Sequence, residues 1–388
     1  MKFKRIFLLV LESLGVGEAV DASNYGDNGA NTLGHIKERC DLFVPNLKKI
    51  GLLNTLNLDE NPDAETYYTI AKPTNIGKDT LNGYYELFGI KNDVSFKTFT
   101  NGFPAELISS IEQITGRRVL GNTYSTDDSL IKELGERQVN YGALIVYTSA
   151  DSDLQIAAHE NVIPAATLYQ YCERIREITL KDEWRVGRVI ARPFTGKPGT
   201  YRFINSARKD YAVKPPVKTI LDSLKDANYN VISIGKASDV FDGQGINKII
   251  KANNNMDALS KMNDIMEKKF TGLCIVSLSD FDTKYGHARD VEGYASAIEE
   301  LDIEIPMILN KLELDDLLII TADHGNDPTF AGNEHTRENV PVLLYSRGFK
   351  DPKLLPPSDT LADIGATIAD NFDLFPPQIG QSLLDKLN

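Results

Sequence analysis

Residues 317–327 read Leu317-Leu318-Ile319-Ile320-Thr321-Ala322-Asp323-His324-Gly325-Asn326-Asp327. The first five are apolar or β-branched, with none of the polar alternation of a half-exposed strand. A strand of that kind is covered on both faces, as in a parallel sheet between layers of helices. A carboxylate and an imidazole follow at once, at the strand end where open α/β sheets bind ligands. Five further runs have the same character, at 6–11, 143–147, 231–234, 273–278 and 342–345. Helical patterns separate them. Within 293–312, Ile298, Leu301, Ile305, Ile308 and Leu312 recur at steps of three and four, giving one apolar stripe. Pro306 inside this pattern predicts a kink or an open backbone bond. Residues 360–372 repeat the pattern with Leu361, Ile364 and Ile368, and Pro376-Pro377 lies beyond. Strands alternating with helices predict an α/β sheet with right-handed crossovers.

The middle of the chain reads differently. Residues 104–115 form a helical pattern with Pro near its start and Gly116 as C′ residue. A second helix is expected over 164–179, and 184–208 is rich in Arg, Gly, Pro and aromatics. Hinges at 99–102 and 213–216 bound an insertion at 98–215, leaving 1–97 and 216–388 as the core. A chain of 388 residues has room for both.

Composition narrows the class. With 42% hydrophobic and 25% charged residues the chain is globular rather than disordered. Lysine and arginine number 42 against 55 acidic residues, a formal charge of −13, which disfavours sequence-independent nucleic-acid binding. An anionic substrate stays compatible, because bound metal supplies positive charge locally. No window approaches the ~20 apolar residues of a membrane span. The run at 6–11 meets Glu12 too early for a signal peptide. The three cysteines, Cys40, Cys172 and Cys274, form no Cys-x-x-Cys pair, which fits a reducing cytoplasm.

Three of the five histidines stand among carboxylates. His287 closes Ser279-Asp280-Phe281-Asp282-Thr283-Lys284-Tyr285-Gly286-His287, His324 follows Asp323, and His335 lies in Gly332-Asn333-Glu334-His335-Thr336-Arg337. Mixed carboxylate and imidazole donors suit Mn²⁺ or Zn²⁺. A lone His at a strand end is more often a hydrogen-bonded structural residue, but three such groups together favour a metal site. His35 and His159 lack a comparable strand-end carboxylate and read as structural. Glu12-Ser13-Leu14-Gly15-Val16-Gly17 ends the first strand, either as an ordinary turn or as backbone approaching a metal or phosphate. In Asn75-Ile76-Gly77-Lys78-Asp79-Thr80, Thr80 serves either as a helix N-cap or as a nucleophile activated by metal.

These pieces resemble the bacterial, metal-dependent phosphopentomutase family of the alkaline phosphatase superfamily, from Lys4 to the C-terminal helix. The matching motifs are Gly77-Lys78-Asp79-Thr80, Tyr147-Thr148-Ser149-Ala150-Asp151-Ser152, Gln155-Ile156-Ala157-Ala158-His159-Glu160 and Val186-Gly187-Arg188-Val189-Ile190-Ala191-Arg192-Pro193. To these are added Asp280-Phe281-Asp282, Gly286-His287, Thr321 to Pro328 and His335-Thr336-Arg337-Glu338. The resemblance implies an alkaline-phosphatase-like core with a mostly parallel central sheet and an inserted α+β cap for substrate recognition. It implies two manganese ions, one held by Glu12, Asp323 and His324 and the other by Asp282, His287 and His335. Thr80 would carry the phosphoryl group, with a sugar bisphosphate as primer and pentose phosphates as substrates. Arg188 and Arg202 would meet the distal phosphate, Asp151 the sugar hydroxyls, and Lys236 a phosphate from the core side.

Two positions depart from the family. Its first strand usually ends Asp-Ser, where this chain has Glu12-Ser13. Its helix after the nucleophile usually reads Gly-His-Trp-Glu, where this chain has Gly83-Tyr84-Tyr85-Glu86. The added methylene of Glu12 is expected to displace an ion it holds, and Tyr84 to fill the space of the missing His.

Overall fold

A computed structural model describes residues 1–125, 128–149 and 151–388. The chain divides into two compact units, Met1–Val94 with Pro215–Asn388, and Ser95–Lys214. The sequence reading places the insertion at 98–215, within a few residues of these junctions.

The first unit is built on a seven-stranded sheet. Its strands are β1 (Arg5–Leu11), β2 (Tyr67–Ala71), β9 (Asn230–Ile234), β10 (Lys248–Ile250), β11 (Gly272–Leu278), β12 (Asp316–Thr321) and β13 (Val340–Tyr345), in the order β10-β9-β11-β1-β12-β13-β2. The other six strands, β3 to β8, belong to the second unit. Every residue of β1, β11 and β12 is buried, so their unbroken apolar character has its cause in helices covering both faces. The β1 register pairs Leu11 with Leu278 and Val10 with Thr321. Arg5 opens β1 with a two-pronged ion pair to buried Asp316, at 2.7 and 2.5 Å, which ties the starts of the two strands together.

β10, β9, β11, β1 and β12 run parallel, but β13 is antiparallel to both β12 and β2. The 342–345 run is therefore not the parallel strand its composition predicts. No helix lies between β12 and β13, and a parallel return needs a long crossover, most often helical. The helix Val291–Lys311 continues through Pro306 and buries Ile298, Leu301, Ile305 and Ile308. The proline forfeits a backbone donor but does not end the helix.

The second unit carries a mixed sheet in the order β3 (Val119–Tyr124), β4 (Leu144–Thr148), β5 (Asp153–His159), β6 (Arg188–Thr195), β7 (Arg202–Phe203), with β8 (Lys209–Ala212) on the first half of β6. The helices Ala105–Thr115 and Ala165–Ile178 bury Leu107, Ile111, Leu168, Cys172 and Ile175 against it. The first ends at Gly116 in the left-handed conformation, as its position after the pattern predicts.

Candidate metal centre

Because β11, β1 and β12 are neighbours in register, the residues just past their ends emerge together. These are Asp282, Glu12 and Asp323, all essentially without solvent exposure. Ser13 turns the chain after β1 with φ 74°, a left-handed conformation uncommon for a non-glycine residue. That turn aims its N–H at Asp323 Oδ1, 3.1 Å away, and the His324 N–H meets the same oxygen at 3.1 Å. Asp323 Oδ2 is thereby left to face the site.

Asp282 lies in a π-helical turn, Phe281–Gly286, directly after β11. Its Oδ1 is 3.2 Å from His335 Nε2 and its Oδ2 is 3.4 Å from His287 Nε2. Asn326 Nδ2 donates to Oδ1 at 2.8 Å and steadies the carboxylate. His287 Nδ1 lies 2.6 Å from the Asn333 carbonyl and His324 Nδ1 lies 3.0 Å from the Gly325 carbonyl. Both rings thus have Nδ1 engaged by backbone and Nε2 directed at a carboxylate, the arrangement of metal-ligating imidazoles. The His324 and His335 rings stack with centroids 3.9 Å apart.

Thr80 is the first residue of the helix Thr80–Leu87, and Asp79, not Thr80, is its N-cap, accepting from the Asn82 N–H. Relieved of capping, the buried Thr80 hydroxyl sits 3.2 Å from His324 Nε2 and 3.3 Å from Lys236 Nζ. Gly83 allows this approach, since a Cβ there would overlap the Asp323 carbonyl. Lys236 Nζ also donates to Glu12 Oε2 at 3.0 Å. Tyr84 donates to Glu12 Oε1 at 3.2 Å and lies 2.6 Å from Ser277 Oγ. Tyr84 is thus more than a filler of space, and the contacts of Lys236 to Glu12 and Thr80 are ones the sequence reading missed. Their partners are far apart along the chain, and no local spacing signals them.

The chemistry of these donors fits a divalent cation. Ligand atoms of Asp282, His324 and His335 lie within 4.8 Å of one another, and all three residues are buried. Two donors each ~2.1 Å from one ion stand about 3–3.5 Å apart, the separation seen between Asp282 and its imidazoles. Asp282 Oδ2 and Asp323 Oδ2 are buried beside imidazole nitrogens, His287 Nε2 at 3.4 Å and His324 Nε2 at 3.3 Å. Burial raises the Glu12 carboxyl to about 7 against the pull of Lys236, with Asp323 and Asp282 adding to the rise. Burial likewise lifts Asp323 to about 7, with Lys236 opposing. Asp282 is also buried, but His287 and His335 hold it well below the usual carboxylate range. Three carboxylates so enclosed favour added positive charge.

The other two histidines serve structure. His159 Nε2 lies 3.0 Å from the Gly196 carbonyl inside the second unit. His35 does meet a carboxylate, with Nδ1 2.6 Å from Asp327 Oδ2, where it tethers the loop after β12.

In the second unit, Arg188 opens β6, with its guanidinium on Asp151 and 3.7 Å from Asp210. Ala150, in the motif before Asp151, lies outside the described residues. Arg202 is exposed on β7 opposite Thr195, at the far end of β6 from Arg188. At ~3.3 Å per residue the two are roughly 20 Å apart along the strand, too far to share one phosphate. Arg188 instead has Arg192 on its own face of β6, and Arg208 joins it through Asp210, to which Arg208 donates at 2.7 and 2.8 Å. Burial works against the Asp210 charge, yet Arg208, with Arg188 and Arg192, keeps its carboxyl below the ordinary range. The period-two spacing of Arg188 and Arg192 is the signal that identifies Arg192 from sequence.

The α/β core and its histidine–carboxylate cluster define a metal-binding protein of alkaline-phosphatase-like fold. Residues 4–376 match the family model described as the Metalloenzyme superfamily, and the chain belongs to that superfamily. Among solved structures it is similar to a Pyrococcus horikoshii protein at 13% identity and TM-score 0.50, over 96% of this chain and 98% of that one. It is also similar to a Leishmania mexicana phosphoglycerate mutase at 10% identity and TM-score 0.47, over 98% and 97% of the two chains. An alkaline phosphatase superfamily protein from Vibrio parahaemolyticus matches at 11% identity and TM-score 0.45, over 99% of this chain and 70% of that one. At 13% identity the likeness to the Pyrococcus horikoshii protein is one of fold.

Proposed function

We propose that the protein is a phosphoryl-transfer enzyme that interconverts ribose or 2-deoxyribose 1-phosphate and the corresponding 5-phosphate through a phosphothreonine at Thr80. The observation that carries this reading is the Thr80 hydroxyl, buried at a helix start 3.2 Å from His324 Nε2 and 3.3 Å from Lys236 Nζ. A hydroxyl so placed is positioned as a nucleophile, with the helix N-terminus and the ammonium to receive the charge of a transferring phosphoryl group. The family motifs of the inserted unit, Thr148 to Ser152 and Gly187 to Pro193, support the choice of a pentose phosphate.

In this scheme a sugar bisphosphate primes the protein by transferring one phosphoryl group to Thr80 Oγ1. Phosphothreonine passes the group to the free C5 hydroxyl of the 1-phosphate, forming the bisphosphate, whose C1 phosphoryl group returns to Thr80. Asp282, His287, His324, His335 and Asp323 are the side chains available to hold metal, Glu12 being engaged by Lys236 and Tyr84, and manganese suits the mixed donors. A bound divalent cation supplies Lewis-acid stabilisation of the phosphoryl oxygens. Lys236 steadies the phosphate beside Thr80, and the inserted unit, through Arg188, Arg192 and Asp151, contributes substrate recognition. The test supplies ribose 1-phosphate, Mn²⁺ and a sugar bisphosphate primer and follows both ribose 5-phosphate and free phosphate. Isomer formed faster than phosphate is the expected result; free phosphate without isomer overturns the mutase reading in favour of a phosphatase.

A further inference from the structure

In a two-cation version of this site, one ion would be held by Glu12 and would touch the Thr80 oxygen. That place has an occupant in this chain. Lys236 Nζ lies 3.0 Å from Glu12 Oε2 and 3.3 Å from Thr80 Oγ1, so a single ammonium already links the two oxygens that such an ion would link. An ion at ~2.1 Å from either oxygen would crowd the ammonium and repel it. The second Glu12 oxygen is occupied as well, by the Tyr84 hydroxyl at 3.2 Å. Tyr84 is itself fixed by Ser277 at 2.6 Å, and Ser277 Oγ accepts the Ala237 N–H at 3.2 Å. Ala237 directly follows Lys236, so one short network holds the lysine's own backbone, the tyrosine and the glutamate in register.

The opposite side of the site contrasts with this. Asp282 Oδ2 and Asp323 Oδ2 are buried with imidazole nitrogens beside them, His287 Nε2 at 3.4 Å and His324 Nε2 at 3.3 Å. The donor atoms of Asp282, His324 and His335 gather within 4.8 Å. The carboxylates there stand among imidazoles that can ligate an ion, whereas the partners of Glu12 are an ammonium and a hydroxyl. Both departures from the family pattern, Glu12 and Tyr84, fall in the network around Lys236. Glu12 meets the lysine through one oxygen and the tyrosine through the other.

We infer that the Lys236 ammonium stands in for one of the two cations, so that the protein binds a single divalent ion among Asp282, His324 and His335. One ammonium and one divalent ion also balance the charge of Glu12, Asp323 and Asp282. Thr80 is then flanked by a lysine on one side and a metal site on the other. This inference rests on the metal-binding part of the proposed function.

The test is a metal count on the full chain, loaded with excess Mn²⁺ and desalted, with the electron paramagnetic resonance spectrum of the bound ion. Wild type should retain one Mn²⁺ per chain and give the signal of an isolated ion. Lys236→Met, which removes the charge and keeps the length, should rise to two ions per chain with a spin-coupled signal. Lys236→Arg should stay at one, and it serves as the folded comparison should the Met variant prove unstable. Two coupled ions in wild type overturn the inference, as does a folded Lys236→Met protein that still holds one. No retained ion overturns the metal centre itself. Failure of the isomerase assay with one ion bound counts against the pentose reaction and leaves the metal inference standing.

Discussion

The hydroxyl of Thr80 lies 3.2 Å from Nε2 of His324, although the two residues are separated by 244 positions in the chain. The contact requires the helix Thr80–Leu87 to press on the strand end after β12, and Gly83 is where it does so.

That close approach predicts a large effect from a small substitution. Gly83→Ala places a methyl group against the Asp323 carbonyl, where backbone must move. The expected cost is about 1–3 kcal/mol from overpacking, read as a lower denaturation midpoint. Retained metal should fall with it, because Asp323 and Thr80 move apart.

Thr80→Ala should abolish labelling of the protein by a sugar bisphosphate, measured by mass spectrometry of peptides spanning residue 80. Asp79 caps the helix, so the alanine variant should unfold at nearly the wild-type midpoint. Thr80→Ser retains a hydroxyl and should retain partial labelling. Phosphate on Ser13 or Ser149 in an active Thr80→Ala protein would remove Thr80 from the mechanism.

Arg188 is predicted to act on substrate affinity and not on metal binding. If Arg188 meets substrate phosphate as proposed, Arg188→Ala removes a charge-assisted contact worth about 1.5–3 kcal/mol, roughly a 10- to 100-fold rise in the substrate concentration for half-maximal rate. Manganese content should be unchanged. Arg202→Ala, at the other end of β6, should leave that concentration within about twofold of wild type.

Glu338 should make the first unit less stable as the solution becomes less acidic. It is buried between Gly15 and Gly325 and accepts from the Thr32 N–H at 2.8 Å, from Thr32 Oγ1 at 2.6 Å and from Thr336 Oγ1 at 2.6 Å. Burial raises its carboxyl from 4.5 to about 7 in spite of these donors. The folded protein therefore holds a proton that the unfolded chain releases at lower pH, and stability falls as pH rises from 4.5 to 7. Glu338→Gln cannot titrate. Unfolding free energies of the two proteins across that window should diverge, with wild type losing ground toward neutral pH; parallel curves would show that Glu338 remains ionised throughout.

The central strands of the first unit were legible as apolar runs because burial on both faces removes the need for alternation. By contrast, β5 and β6 of the second unit went unread, since Gln155 and His159 interrupt one and Arg188 and Arg192 the other. Glu12, Asp282, Asp323 and His324 were legible as candidate ligands because they stand just past those runs, and His287 and His335 through the carboxylates near them in sequence. Thr80 was legible only as one of two choices, and Asp79 removes one of them by taking the cap. The edge strands β2 and β10 went unread. One is carried by Tyr67 and Tyr68 and the other is only three residues long, so neither forms an aliphatic run.

Chain order and residue type thus dictate which segments become buried strands and which side chains stand at their ends, since both follow from local pattern and from the cost of exposing apolar surface. Direction and pairing belong to the tertiary structure. The antiparallel return of β13 depends on how residues 322–339 travel, and the distance between Arg188 and Arg202 depends on which strand lies beside β6. The ion pair of Glu12 with Lys236 is of the same kind, joining residues 224 positions apart. No short-range regularity encodes such a contact. It exists because β1 and β9 both flank β11, and parallel strands deliver their ends to the same edge of the sheet.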